Sequence, residues 1–255
     1  MSFSTPAGAG AWRFVRFGLI VTGKGEEEFL PTLFRSLEAT GRCHFRVIRR
    51  IGQRSPIRSS RRQLRMIGSG KLIPDRDAVD IGLPSRRFLA SDDRYVLVID
   101  DLERVRSSEV QQIFDRYRLA LDRMLTESQA NRASVHFLVN MLEAYYFADA
   151  QAVNAVLGTD LVDFEGDVET IPNPKRDLKN LRRGFDEREH GRQIVERLNV
   201  PHMLSRADAC CSLRTIFAWI YTAIEEPDCD IRPLLDGCHN ETTKDQIDAL
   251  RAGVN

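Results

Sequence analysis

Two stretches of this chain place carboxylates where an apolar run ends: Gly18-Leu-Ile-Val-Thr-Gly-Lys-Gly-Glu-Glu-Glu28 and Tyr95-Val-Leu-Val-Ile-Asp-Asp-Leu-Glu103. Apolar runs without alternation read as buried parallel strands, and α/β folds keep metals and phosphates at the carboxyl ends of such strands. Hard oxygen ligands suit Mg2+ or Mn2+. In the second stretch, Asp101 and Glu103 are two residues apart, a spacing that lets both reach one cation. The same acids could equally start a helix, where its dipole favours them. In the first stretch, a rotation of 100° per residue puts Glu26 at the centre of the stripe formed by Phe29, Leu30, Leu33 and Leu37. Glu27 lies at the edge of that stripe and Glu28 faces away, so the dipole accounts for both. An inward Glu26 needs a partner, a proton or a metal.

Asn140-Met-Leu-Glu143 follows a third apolar run, Ser134 to Val139. Asn140 and Glu143 have the spacing of a capping box, which is a purely structural role. Asp149 falls on the same face as Leu142, Tyr145 and Tyr146. Gly18-x-x-x-x-Gly23-Lys24-Gly25 imitates a phosphate-binding P-loop but lacks its hydroxyl, and its middle belongs to a strand. What remains is a Thr-Gly-Lys-Gly turn with Lys24 at a helix start, still a place that favours an anion.

Net charge is zero, with 37 basic and 37 acidic residues, yet the distribution is uneven. Between Arg42 and Ala90 there are 13 Lys or Arg against three acids. Arg54, Arg58, Arg61, Arg62, Arg65 and Lys71 form the densest part, with no acid among them. Arginine forks match phosphate oxygens, so this segment is a candidate nucleic-acid surface, or else a solvated loop of an arginine-rich protein.

These groups need a scaffold. Strands are expected over 13–21, 44–51, 95–101 and 134–139. Helices are expected over 26–37, along the face of Val110, Ile113, Phe114, Tyr117, Leu121 and Met124, and over 141–149. Alternation of this kind predicts an α/β fold with a mostly parallel central sheet flanked by helices. Residues 13–157 form the core, with a long irregular basic insertion at about 52–93. A helical part follows over 158–224, with segments at 176–183, 192–199 and 208–224. An acidic peripheral tail occupies 225–255, with one short helix near Gln246. The length and 42% hydrophobic content exclude a disordered chain. No apolar run is long enough to span a bilayer and the N-terminus lacks a signal-peptide pattern, so a cytoplasmic location is expected. The five cysteines have no metal-ligand spacing and are expected to be free thiols.

The order of strand, acidic turn, helix and Asp-x-Glu strand end resembles the Toprim fold of topoisomerases, primases and OLD-type nucleases. More closely, Val21-Thr-Gly-Lys-Gly-Glu-Glu-Glu-Phe-Leu-Pro31, Met141-Leu-Glu-Ala-Tyr-Tyr-Phe-Ala-Asp149, Asn173-Pro-Lys-Arg-Asp-Leu-Lys179 and Cys211-Ser-Leu-Arg-Thr-Ile-Phe217 resemble four successive blocks of a bacterial Toprim-like family, number 4276 of the domains of unknown function. That resemblance implies a Toprim-like nuclease in which Glu26, Asp101, Glu103 and Glu143 hold Mg2+ or Mn2+ and Lys175 contacts a phosphate. It implies nucleic acid as a partner, an ABC-like ATPase supplied in trans, as beside OLD-type nucleases in phage defence, and leaves a homo-oligomer open. One position departs from the pattern: Thr22 stands where Toprim nucleases carry a turn glutamate. A Toprim-like module that binds nucleic acid or an ATPase without chemistry is therefore the alternative.

Overall fold

The computed structural model describes residues 13–57, 64–67 and 71–224. Strand β1 (Val15–Val21) leads into helix α1 (Lys24–Leu33), α2 (Arg35–Glu38) and strand β2 (Cys43–Arg50). The single helix expected over 26–37 is divided at Phe34. Pro31, which has no N–H for the carbonyl of Glu27, lies just before the break. A hairpin of β3 (Leu64–Ile67) and β4 (Lys71–Pro74) follows, then α3 (Asp75–Asp77), a π-turn (Ala78–Gly82) and α4 (Leu83–Phe88). Strand β5 (Arg94–Leu102) precedes a 3-10 helix (Arg104–Glu109), α5 (Val110–Met124), α6 (Glu127–Ala130) and β6 (Ala133–Val139).

The described residues beyond β6 carry helices, as expected. A 3-10 helix (Leu142–Ala148) and α7 (Ala150–Leu157) are followed by a short 3-10 turn (Val168–Thr170). Then come α8 (Pro174–Leu181), α9 (Glu189–Val195), α10 (Val200–Ser205) and α11 (Cys211–Ile224).

The four long strands form one parallel sheet in the order β2-β1-β5-β6. Side chains alternate across it. Phe17, Leu19, Val21, Leu97 and Ile99 pack under α1, α9 and α11, whereas Ile20, Val96 and Val98 pack against α4 and α5. Both faces are covered, which is why the strands are continuously apolar. The chain leaves β1 toward β2 on one side and β5 toward β6 on the other. The strand order therefore reverses between β1 and β5, and in open α/β sheets such a reversal opens a crevice at the carboxyl ends.

The segment expected to be irregular over 52–93 instead contains the hairpin and a helical run over 75–88. Ala78, Ile81 and Phe88 are buried, and Gly82 sits so close to Met124 that a Cβ there would collide with it. The tail over 225–255, the helix near Gln246, Cys229 and Cys238 lie outside the described residues. Cys43, Cys210 and Cys211 are free thiols. No helix among the described residues is long and apolar enough to cross a membrane.

Candidate functional site

Register places Val21 beside Ile99, so β1 ends beside the last residues of β5, Asp100 to Leu102. Thr22 joins them. Its hydroxyl donates to Asp100 Oδ1 at 3.0 Å and accepts the Asp101 amide at 3.1 Å. Successive strand residues face opposite ways, and this separates the two aspartates. Asp100 is fully buried and saturated: Arg106 grips both carboxylate oxygens at 3.0 and 2.7 Å, and the Tyr117 hydroxyl donates at 2.8 Å. Asp101 faces the other way, into a cavity of about 320 Å³.

Glu26 enters the same cavity from the first turn of α1. Its side chain lies over Gly23, where any Cβ would collide with Glu26 Oε2. Glycine at 23 thus makes room for an inward carboxylate. Glu143, Lys24 and Lys175 complete the functional lining. Lys175 bridges Glu143 and Glu187 at 3.5 and 3.4 Å, and Lys179 pairs with Glu187 at 2.8 Å.

The electrostatics are those of acids forced together out of water. Burial pushes Asp101 up to about 8, with repulsion from Glu26, Glu143 and Asp100 adding to it. Burial also raises Glu26 and Glu143, the first helped by Glu143 and the second opposed by Lys175. Burial alone would lower Lys175, but Glu143 and Glu187 outweigh it and raise it. Glu26 Oε2 and Asp101 Oδ1 are buried without a hydrogen-bond partner. Two carboxylates that line one cavity, each with an oxygen left without a partner, fit a hard divalent cation in chemistry. Among the described residues no group of three acid, His or Cys side chains is closed tightly enough to hold a metal as arranged. Glu143 is engaged by Lys175 instead.

The model of the domain of unknown function DUF4276 matches residues 21–220. The chain belongs to that family. No curated protein and no solved structure matches it. The DUF4276 match opens at the last residue of β1 and ends within α11, so it takes in the whole crevice.

Of the residues singled out in this DUF4276 chain, the fold brings together Lys24, Glu26, Asp101, Glu143 and Lys175. Glu103 does not join them. Strand β5 ends at Leu102, and Glu103 takes the position before the 3-10 helix (Arg104–Glu109), so the two-residue spacing no longer puts it on Asp101's face. Arg54 is corrected too. Only 2% exposed, it pairs with Asp77 at 2.8 Å and Asp80 at 2.7 Å, so its guanidinium is a buried clamp and unavailable to a phosphate. Arg65 and Lys71 lie on β3 and β4, in register with Ile73 and Ile67 of the opposite strand. Arg58, Arg61 and Arg62 lie outside the described residues.

Three smaller readings change. Glu28, expected to face away, reaches the cavity rim and pairs with Arg188 at 3.3 Å and with Arg192. Asn140 and Glu143 form no capping box, because the 3-10 helix starts after Met141 and has no side-chain cap; the Asn140 side-chain amide donates to the Glu169 carbonyl. Asp149 caps α7 and accepts the Asn199 amide at 2.7 Å. Glu169 and Glu187 carry no signal in the sequence, where neither adjoins an apolar strand end.

Proposed function

We propose that this protein is a metal-dependent phosphodiester hydrolase acting on nucleic acid, built on a Toprim-like sheet. The observation that supports it most is that Glu26 and Asp101, each with a buried carboxylate oxygen lacking a hydrogen-bond partner, line one cavity at the topological reversal between β1 and β5. Glu26 and Asp101 would hold the cation, and Glu143 would join them on release from Lys175. Bound Mg2+ or Mn2+ would supply an activated water and offset charge building on the phosphate. Lys24 and Lys175 line the same cavity and can each give an ammonium to a phosphate oxygen. Asp100 and Thr22 stay outside the chemistry and fix the strand ends.

The test is nicking or cutting of DNA and RNA with Mg2+ and with Mn2+, comparing the wild type with Asp101→Asn. Cleavage lost in the variant is expected, and equal cleavage by both proteins refutes the reading. Thr22 favours a second reading, a module of the same fold that binds nucleic acid or an ATPase without chemistry, since its hydroxyl cannot shuttle a proton near neutral pH. That version predicts salt-sensitive binding that survives Asp101→Asn but weakens in Arg61→Ala/Arg62→Ala.

A further inference from the structure

Glu143 reaches the cavity from an unusual turn. Asn140 has φ 57°, and Met141 has φ 75° with ψ 156°, a region in which residues other than glycine are strained. Strain of this kind persists only where neighbours over-determine the backbone. The Asn140 amide N–H donates to the Leu102 carbonyl at 3.1 Å, tying the turn to the end of β5. The other ties converge on one residue, Glu169. Its carbonyl accepts the Asn140 side-chain amide, and its Oε1 accepts the Tyr145 hydroxyl at 2.9 Å. That hydroxyl in turn accepts the Val139 amide at 3.2 Å, gripping the strand just before the turn. Glu169 is itself fixed from behind by the Ser212 amide at 2.6 Å and the Ser212 hydroxyl at 2.7 Å. It is 8% exposed and takes no part in lining the cavity.

We propose that Glu169 is a positioning residue for the site, clamping the strained Asn140–Met141 turn and the Tyr145 ring so that Glu143 is delivered into the cavity beside Asp101 and Glu26. The metal-binding consequence rests on the function proposed above, whereas the clamp itself does not. Groups that orient ligands from behind usually matter to metal affinity by about 10-fold to 100-fold.

The test compares crystal structures and Mn2+ titrations of the wild type, Glu169→Ala, Tyr145→Phe and Glu169→Ala/Met141→Gly. Alanine removes the carboxylate that holds Tyr145 and Ser212 and leaves only the main-chain carbonyl to Asn140. In Glu169→Ala the turn is expected to leave positive φ, Glu143 to withdraw from the cavity and Mn2+ affinity to fall about 10-fold or more. Tyr145→Phe keeps the ring and loses only the hydroxyl, so it reads the same clamp should Glu169→Ala fail to fold. Glycine takes the Met141 conformation without strain, so the double variant is expected to return Glu143 to the cavity. Support of α11 alone would show no such rescue. If the wild type binds no Mn2+, the metal reading falls and the clamp is judged from Glu143's position. The proposal is overturned if Glu143 keeps its place in both single variants, or if Met141→Gly fails to bring it back.

Discussion

Thr22 occupies the position where the proposed Toprim kinship would put an acid, and its surroundings explain why a hydroxyl serves. It joins β1 to β5 through one hydrogen bond to Asp100 and one from the Asp101 amide, beside a carboxylate that is already saturated. Thr22→Val should cost about 1–3 kcal/mol through the unpaired groups it leaves, measured by urea unfolding. Thr22→Glu should lower the melting temperature rather than raise activity, because a second carboxylate would face Asp100. Asp101 gives a pH signature. Its folded value of about 8 lies above the ordinary 3.8, so between them the folded protein holds a proton that the unfolded chain has released. Stability must then fall as pH rises through that window. Melting curves in EDTA should show this slope in the wild type and a shallower one in Asp101→Asn. An identical slope in both would mean that Asp101 is ionised throughout.

Elements decide which of the chemically plausible residues are usable. Arg54 precedes the hairpin and Asp77 and Asp80 follow it, so their buried pairing closes the base of the basic insertion; Arg116 of α5 adds a second contact to Asp77 at 2.7 Å. Arg54→Met should cost about 1.5–3 kcal/mol by removing charged hydrogen bonds to Asp77 and Asp80, which keep Arg116 and Arg49 as partners, checked by denaturant unfolding, and should leave Mn2+ binding unchanged. The inward aim of Glu26 was legible in the sequence, because helical spacing alone fixes which side of α1 meets the sheet. The exclusion of Glu103 was not, because it depends on β5 stopping at Leu102, which the Asp-x-Glu spacing does not encode. Nor did charge density reveal that Arg54 is buried, since its acidic partners are 23 and 26 residues away and meet it only after the chain turns back.

At the scale of the whole molecule, strand order makes the site. The reversal between β1 and β5 opens the crevice, α1 brings Glu26 to one wall, and the turn after β6 brings Glu143 to another. The alternating pattern of strands and helices was enough to foresee a parallel sheet covered on both faces. The pairing of β1 with β5, which joins residues about 80 positions apart, could be seen only in the fold. If the polyanion also runs along the basic insertion, Arg61→Ala/Arg62→Ala should weaken binding of an oligonucleotide and flatten its salt dependence. The most direct measurement is calorimetric titration of Mn2+ into the wild type and into Asp101→Asn. The account predicts one saturable site in the wild type that is lost in the variant. Equal heats in both proteins, or no site in either, would contradict it.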